Sequence, residues 1–496
     1  MPTRTSTMAP STETKEFNVA TSALRTHFIL VPLVAQGHTI PMVDLARLLA
    51  GRGARVTVVT TPWNAARLQG VADSARRAKL PLDIVELPFA PADDGLPPAC
   101  GDDIDTLVPM FQALHSLAGP LEAYVRALGR RPGCIIYDRA NAWTAGVARS
   151  VGVPLLFFHG PSCFYSLCDL NVATHGLVEE RETCVMPGMP VRLEMTRATC
   201  SSAFLKTPAW EAFQKNAMEA MRMADGAVAN TFLDLEGQFV SCYEAALGMP
   251  VWALGPFCLS NRDETALACR GDKDRPTAVD QSAVTQWLDA MCTGSVVYAS
   301  FGSLVRVLHE QLYEVGHGLE DSGRPFLWVV KESEAAASPE VLEWLQALEA
   351  RTAGRGLVVR GWAPQLAILS HRAVGAFVTH CGWNSLLESI AHGVPVVTWP
   401  HLADQFLNER LAVDVLGVGV PVGAAVPDGE PVMVVRRDIA RAVSELMGSG
   451  DVAEERRRKA KEYGERARTA MAIGGSSYQN LTRLIQRFRP NDAKEQ

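Results

Sequence analysis

Residues 362 to 405 carry the side chains whose types and spacing best suit chemistry. The stretch reads WAPQLAILSHRAVGAFVTHCGWNSLLESIAHGVPVVTWPHLADQ. It combines an indole, a histidine, small polar donors and carboxylates, which suit a ligand that is part aromatic base, part phosphate and part sugar. The side chains in question are Trp362, His380, Asn384, Ser385, Glu388, Asp404 and Gln405. The hydrophobic pattern predicts strand, helix, strand and helix in succession, a frame that brings strand ends and helix starts to one crevice.

The turn after the predicted strand 374–379 suits an anion. His380 ends that strand, and Gly382, Asn384 and Ser385 belong to the turn that leads into a helix. Unpaired N–H groups and the helix dipole favour negative charge there, and small residues let a diphosphate approach the backbone. The alternative, that Asn384 or Ser385 is only an N-cap, is compatible with this role because a cap residue lies at the same anion site.

Two more positions extend this candidate site. Ser303, which follows Gly302 in the turn after the predicted strand 296–300, occupies an equivalent strand-end position. Glu388 comes four residues after Asn384 and therefore lies on the same helix face. Its two oxygens suit the vicinal hydroxyls of a ribose. The alternative is a favourable charge in the first turn of the helix.

A second pair of candidate residues lies in the N-terminal half of the chain. We expect His38 in a turn at 35–39, just past the first strand, and Asp138 at the end of the strand Cys134–Tyr137. Transfer of a group to a hydroxyl needs a base, because a neutral alcohol is a poor nucleophile, and the pKa of histidine lies near neutrality. A carboxylate that holds the other ring nitrogen commonly orients such a base. The alternatives are an idle solvated histidine and a carboxylate that only begins a helix.

Both halves of the chain alternate predicted strands and helices, which indicates two doubly wound α/β units. Residues 261–281 between them are polar and poorly periodic, as in a linker. The sequence therefore predicts five segments. They are a disordered tail at 1–25, a first domain at 26–257, a linker at 258–282, a second domain at 283–470, and a helix within 471–496 that packs back on the first domain.

Composition argues against several classes of protein. The chain of 496 residues is too long for one ordinary domain, and its net charge of −7 gives no indication of a nucleic-acid partner. The 11 cysteines are scattered without metal-ligand spacing, which fits a reduced cytosolic interior. No apolar run reaches the ~18 residues of a transmembrane helix, and residues 1–25 lack the apolar core of a secretory signal.

The stretch 362–405 closely resembles, without a gap, the signature box of the plant family 1 UDP-sugar glycosyltransferases. The resemblance covers residues 26 to 488 and implies the GT-B fold, which is an α/β fold of two facing Rossmann-like doubly wound domains. It implies that Trp362 stacks on uracil and that Ala363 and Gln365 bond the edge of the base. It also implies that His380, Asn384 and Ser385 contact the diphosphate.

The same resemblance extends to the sugar and to the reaction. It assigns the sugar to Trp383, Asp404 and Gln405, and a glutamine at the last of these positions resembles enzymes that use glucose. His38 and Asp138 match the catalytic histidine and aspartate of the family. We therefore expect His38 to remove the proton of an acceptor hydroxyl while Asp138 orients His38, with inversion at the anomeric carbon. No metal or other cofactor is expected, since UDP-glucose is a co-substrate and the helix start stabilises the leaving diphosphate.

The acceptor is expected to be a lipophilic, hydroxylated small molecule of plant secondary metabolism. The segment 157–164, FFHGPSCF, resembles a clade of these enzymes that act on flavonoids, terpenoids and steroids. Candidate lining residues, each of which is alternatively core, are Phe111, Phe164, Tyr165, Met195 and Phe204. We expect a cytoplasmic monomer without a nucleic-acid partner.

Several alternatives compete with this interpretation. The pair Asp103 and Asp105 spells the DxD of metal-dependent glycosyltransferases, but it lies in an acidic loop that leads into a helix. The run 417–423 has the wrong glycine spacing for a nicotinamide cofactor. A hydrolase that uses His38 and Asp138 would lack the GxSxG elbow. A transferase for another UDP-sugar and a non-catalytic UDP-sugar-binding protein remain open.

Overall fold

The computed structural model describes residues 26–89, 107–175, 183–195, 208–260, 281–303, 305, 307–425 and 432–490. Within them the chain forms two parallel sheets, each with helices on its faces, and this confirms the predicted α/β class with two Rossmann-like units. The aspartates of the DxD pair and Phe204 lie outside the described residues.

The first sheet has seven parallel strands and is accompanied by a short antiparallel hairpin. The strands in chain order are β1 (His27–Val31), β2 (Arg55–Thr60), β3 (Leu82–Glu86), β4 (Cys134–Asp138), β5 (Leu155–His159), β6 (Cys184–Val185), β7 (Glu194–Met195), β8 (Ala227–Ala229) and β9 (Val251–Ala253). The strands β6 and β7 form the hairpin, and the sheet order is β3-β2-β1-β4-β5-β8-β9. Strands β1, β4 and β5 are buried along their whole length, as expected where helices cover both faces of a parallel sheet.

Helices connect these strands. They are α1 (Gln36–Gly51), α2 (Pro62–Arg77), α3 (Leu107–Ala113), α4 (Ala118–Ala127), α5 (Thr144–Val151), α6 (Cys163–His175), α7 (Pro208–Arg222) and α8 (Leu233–Leu247). Short 3₁₀ turns at Leu114–Leu117 and Phe257–Ser260 complete the unit. Parallel strands need such crossovers, so the strand–helix alternation in the sequence already predicts the sheet.

The second sheet has six parallel strands in the order β12-β11-β10-β13-β14-β15. They are β10 (Val296–Ser300), β11 (Phe326–Val330), β12 (Gly356–Arg360), β13 (Val374–Thr379), β14 (Val396–Thr398) and β15 (Gly419–Pro421). The helices are α9 (Gln281–Asp289), α10 (His309–Asp321), α11 (Glu332–Ala335), α12 (Pro339–Arg351), α13 (Gln365–Ser370), α14 (Trp383–His392), α15 (Gln405–Arg410) and α16 (Arg436–Met447). Helix α15 does not continue as an α-helix, because a π-helical turn at Leu411–Val415 follows it.

The chain then returns to the first sheet through α17 (Asp451–Met471) and α18 (Ser476–Arg487). Helix α17 lies between α14 of the second unit and α8 of the first. Leu481 and Leu484 of α18 join the core cluster that contains Phe28 of β1. The Ser477 hydroxyl donates to the carbonyl of Gly255 at 2.6 Å. This bond joins the returning chain to the segment through which the chain leaves the first unit.

Candidate active site

Both halves of the site lie where the strand order of a sheet reverses. In the first sheet the order reverses between β1 and β4, and His38 and Asp138 follow or end these strands. In the second sheet it reverses between β10 and β13, which are followed by Ser303 and His380. Crevices at the carboxyl ends of strands at such points are the usual ligand sites of open α/β sheets.

The structure brings His38 and Asp138 together. His38 Nδ1 lies 2.8 Å from Asp138 Oδ2, and the Asp138 side chain is 2% exposed whereas that of His38 is 38% exposed. Asp138 Oδ1 accepts the backbone N–H of Ala140 at 2.9 Å, so both carboxylate oxygens are held. The prediction that His38 lies in a loop is wrong, because α1 begins at Gln36 and His38 lies in its first turn.

The pKa of His38 is raised above its ordinary value of 6.5. Burial opposes this shift by disfavouring the charged ring, but it is outweighed by the charge and hydrogen bond of Asp138 and by the charge of Asp404. A raised pKa means a stronger base, and Asp404 belongs to the second unit. Carboxylates from both units therefore act electrostatically on the same imidazole.

The ring of His380 lies between two glycines. A Cβ added to Gly302 or to Gly382 would lie 2.6 or 2.4 Å from ring atoms of His380, so neither position has room for a side chain. Burial, followed by the charges of His401 and Lys331, lowers the pKa of His380 to about 3. The imidazole is therefore neutral, and its one ring N–H can donate a hydrogen bond to a phosphate oxygen. Ser303 follows Gly302 and is exposed.

Two turns of the second unit carry a strained backbone. Cys381, next to His380, has φ 64°, and Ala403, next to Asp404, has φ 56°. Left-handed conformations are unfavourable for residues with a Cβ and persist where the surroundings enforce them, often at functional sites. The turns on both sides of the candidate site are thus held in shape by the fold.

A polar network orients the residues assigned to the nucleoside. Gln365 Nε2 donates to Glu388 Oε2 at 2.8 Å and to Ser385 Oγ at 3.0 Å, and Gln365 Oε1 accepts from the Tyr298 hydroxyl at 3.3 Å. Glu388 is 4% exposed. The side chain of Gln365 holds Glu388 and Ser385 in place, and its expected contact with the base edge stays a prediction. The proton of the Ser385 hydroxyl is left for an acceptor such as a phosphate oxygen.

Trp362 and Ala363 lie in the turn between β12 and α13. Trp362 is partly exposed, whereas Ala363 is 7% exposed. The carbonyl of Ala363 accepts the N–H of Gln365 at 2.8 Å and retains a second lone pair.

Asp404 and Gln405 lie at the start of α15, and one oxygen of each side chain already accepts hydrogen bonds. Gln405 Oε1 accepts the backbone N–H groups of His401 and Leu402 at 2.8 and 3.0 Å, which leaves the amide Nε2 as a donor. The Asp404 side chain makes no capping hydrogen bond to its own helix, and Oδ2 accepts from Asn408 Nδ2 at 2.7 Å. Burial raises the pKa of Asp404 to about 6.

Trp383 and Asn384 join the two units. Trp383 Nε1 donates to the carbonyl of Asn230 at 3.0 Å, and Asn384 Nδ2 donates to the carbonyl of Gly37 at 2.6 Å. The Trp383 ring is 3% exposed. Its indole N–H is therefore bonded to the first unit, whereas its main-chain N–H lies at Asp404.

We expect Trp383→Phe to lower the free energy of unfolding by about 1–3 kcal/mol, because the buried carbonyl of Asn230 loses this donor. Chemical denaturation followed by fluorescence measures the change. Trp252→Phe is the matched control, since Trp252 Nε1 is buried without a hydrogen-bond partner. Equal destabilisation by the two substitutions would show that ring volume, rather than the cross-unit bond, accounts for the effect.

The sequence pattern did not reveal four buried polar residues that support the site. Asn230 accepts from Trp383, and Ser162 of the first unit donates to Asn408 at 3.0 Å. Glu236 accepts the N–H groups of Cys163 and Phe164 at 3.3 and 2.8 Å and thereby anchors the start of α6. Of these residues, only Asn408 could have been recognised from the sequence, since it follows Asp404 by four residues on one helix face.

The apolar residues considered for the acceptor lie mostly in the core, among those that the structure describes. Phe164 is fully buried and packs edge-on against Phe239, and Met195 is 2% exposed. Tyr165 is 7% exposed, and Phe111 stacks on Phe213 with ring centroids 4.7 Å apart. The core alternative is favoured for these residues. No grouping of histidine, cysteine and carboxylate side chains suited to a metal occurs in the described parts of the chain.

The geometry defines a two-unit α/β protein with a histidine–aspartate pair at the carboxyl ends of one sheet and polar donors at those of the other. Comparisons with known proteins identify its family. The family described as UDP-glucoronosyl and UDP-glucosyl transferase matches residues 247–447, and the one described as glycosyltransferase, N-terminal domain, matches residues 26–259. UDP-glycosyltransferase 73C11 of Barbarea vulgaris is 40% identical over 93% of this chain and 96% of its own length. UDP-glycosyltransferase 73C4 of Arabidopsis thaliana is 41% identical over 93% and 95%. The chain belongs to the plant family 1 UDP-glycosyltransferases.

Solved structures show the same fold. Glycyrrhiza uralensis UGT73P12, complexed with glycyrrhetinic acid 3-O-monoglucuronide, superposes with a TM-score of 0.84 at 34% identity, covering 93% of this chain and 95% of that one. Medicago truncatula UGT71G1, complexed with UDP-glucose, gives a TM-score of 0.76 at 27% identity, covering 94% and 98%. The chain is thus a glycosyltransferase with the GT-B fold. Of the helices that the structure describes, none combines the length and apolar character needed to cross a bilayer.

Proposed function

We propose that this enzyme transfers glucose from UDP-glucose to a hydroxyl of a lipophilic small molecule with inversion at the anomeric carbon. The observation that carries the mechanism is the hydrogen bond between His38 Nδ1 and the buried carboxylate of Asp138. Since Nδ1 is held by Asp138, Nε2 is the nitrogen left to take the proton of the acceptor. The acceptor oxygen then attacks the anomeric carbon from the face opposite UDP, and Asp138 stabilises the imidazolium.

The leaving diphosphate is stabilised by donors at the two strand ends of the second sheet. These donors are the start of α14 with Ser385, the neutral ring of His380 between Gly302 and Gly382, and the turn that carries Ser303. Backbone dipoles and donors fixed before the reaction stabilise developing charge without reorganisation. We therefore propose that no metal takes part and that chelators leave turnover unchanged.

The hexose is proposed to lie against Asp404, Gln405 and the main-chain N–H of Trp383. Asp404 supplies a hydrogen-bond acceptor and Gln405 Nε2 a donor, a combination that suits neighbouring sugar hydroxyls. The glutamine favours glucose. The nucleoside is proposed to stack on Trp362 and to place its ribose hydroxyls on Glu388, which Gln365 orients.

The acceptor is proposed to be a flavonoid, terpenoid or steroid-like alcohol. A relative of similar fold, UGT73P12, is complexed with glycyrrhetinic acid 3-O-monoglucuronide, and this supports a bulky lipophilic acceptor here. We also propose a cytoplasmic, monomeric enzyme, in keeping with scattered cysteines such as Cys134 and Cys163, which are buried as free thiols.

The test is incubation of the enzyme with UDP-glucose, UDP-galactose or UDP-glucuronic acid and a panel of phenolic, terpenoid and steroid alcohols, followed by mass spectrometry. The proposal predicts a gain of one hexose from UDP-glucose, unaffected by EDTA, and a β-linkage by NMR. Faster transfer from another UDP-sugar would contradict the assignment of glucose. Tight UDP binding with no product on any acceptor would favour a binding protein over an enzyme.

Donor binding should depend on the ionisation of Asp404. Because its pKa is raised to about 6, the carboxylate that accepts sugar hydroxyls is ionised above that pH and protonated below it. We expect the Kd for UDP-glucose, measured by calorimetry without acceptor, to rise roughly tenfold from pH 7 to pH 5. The Asp404→Asn variant should bind weakly and independently of pH in this range. A wild-type Kd that stays flat would exclude this role for Asp404.

A further inference from the structure

Asn408 is fully buried beneath the turns that surround the proposed sugar position, and each polar atom of its side chain has a partner. Its Nδ2 donates to the carbonyl of Cys381 at 2.9 Å and to Asp404 Oδ2 at 2.7 Å. Cys381 is itself one of the two left-handed residues of the site, and Asp404 follows the other, Ala403. One amide group thus holds both strained turns.

The third partner of Asn408 lies in the other unit. Because both Nδ2 contacts are acceptors, the amide oxygen must face Ser162, and the Ser162 hydroxyl must be the donor of their 3.0 Å bond. The same hydroxyl accepts the N–H of Tyr165 at 3.1 Å in the first turn of α6. Ser162 therefore has a fixed position in the first unit, which Glu236 secures through the N–H of Phe164.

We propose that Asn408 is a positioning residue that orients Asp404 toward the donor sugar, and that Ser162 acts through Asn408 to make this orientation depend on the acceptor unit. The proposal rests on the proposed role of Asp404 at the hexose. A buried amide with all its hydrogen bonds made has one orientation, whereas loss of one partner leaves a buried polar group unsatisfied and the network free to rearrange. The segment 157–164 would then influence the donor sugar as well as the acceptor.

The experiment compares the Kd of UDP-glucose with that of UDP for the wild type and for four variants. Asn408→Leu keeps the volume but removes the donors to Asp404, so we expect the Kd for UDP-glucose to rise about tenfold and that for UDP to change less than about threefold. Ser162→Ala should raise the Kd for UDP-glucose by about threefold or more. Ser162→Thr, which keeps the hydroxyl, should bind UDP-glucose as the wild type does. Ser166→Ala is the control, because its hydroxyl bonds His159 and the Ser162 carbonyl within one unit.

A double-mutant cycle separates positioning from loss of stability. If Ser162 acts only through Asn408, the Ser162→Ala change should have no further effect on donor binding in the Asn408→Leu background. Additive effects, or a Kd for UDP that rises in step with that for UDP-glucose, would overturn the proposal. If Asn408→Leu does not fold, the Ser162→Ala and Ser162→Thr pair decides by itself, and unchanged UDP-glucose binding in Ser162→Ala overturns it. These binding measurements need no turnover, so failure of the proposed function, which is absence of a hexoside from the wild type, is a separate result.

Discussion

Replacing His38 with alanine is expected to lower kcat by a factor on the order of 10²–10⁴, the usual contribution of a positioned general base. In the proposed mechanism the imidazole takes the proton of the acceptor, and Asp138 holds it at 2.8 Å in an orientation that leaves Nε2 for this purpose. The Kd for UDP-glucose should change little, because the proposed nucleotide contacts lie in the second unit. Single-turnover kinetics with saturating donor measures the chemical step directly.

The pH dependence gives the same prediction a second readout. A base acts in its neutral form, so kcat/KM for the acceptor should rise with pH and level off above the pKa of His38. That pKa is raised, so the midpoint should lie above 6.5 in the wild type. His38→Ala should lose this limb. His371→Ala, at an imidazole that pairs with Asp289 at the surface, is the control and should keep wild-type kinetics. Unchanged turnover in His38→Ala would remove His38 from the mechanism.

Asp138→Asn is expected to lower kcat by a factor on the order of 10²–10⁴ as well, by analogy with the aspartate of a hydrolase triad. The structure explains why an isosteric amide should fail. The N–H of Ala140 requires an acceptor at the position of Oδ1, so the amide oxygen must take that place and the NH₂ group must face His38 Nδ1. An N–H donor at Nδ1 favours the tautomer with its proton on Nε2, and this tautomer cannot accept a proton from the substrate.

The midpoint of the pH profile should also fall in Asp138→Asn, since the negative charge that raises the pKa of His38 is removed. Asp225→Asn is a suitable control, because Asp225 likewise accepts a backbone N–H, that of Leu155 at 2.8 Å, but lies at the amino end of β5. Turnover near the wild-type value in Asp138→Asn, with a shifted pH midpoint, would limit Asp138 to an electrostatic influence on His38.

The fold could be predicted from the sequence because alternating strands and helices leave few topologies. The predicted strands at residues 296–300 and 374–379 coincide with β10 and β13, and their ends define the switch point. The first residue of a helix is harder to predict from the hydrophobic pattern than the position of a strand. His38 was expected in a loop, yet the helix begins two residues earlier, at Gln36, without a side-chain cap to mark it.

The support of the site was not predictable, because it depends on contacts between residues far apart in the chain. Trp383 bonds Asn230 and Asn408 bonds Ser162, across 153 and 246 positions of sequence. Neither contact leaves a periodic pattern, and the resemblance that assigned Trp383 to the sugar gave no sign of its bond to Asn230. Within the described residues, the strained conformations of Cys381 and Ala403 are likewise visible only in three dimensions.

The double crossing of the chain between the two units has a mechanical consequence. The chain leaves the first sheet after Gly255 and returns at Ser477, and a 2.6 Å hydrogen bond joins these two points. Because this bond fastens the outgoing segment to the returning helix, the chain is anchored to the first unit at one place both where it leaves and where it returns. Separating the two units would therefore break the hydrogen bonds between Asn384 and Gly37 and between Asn408 and Ser162.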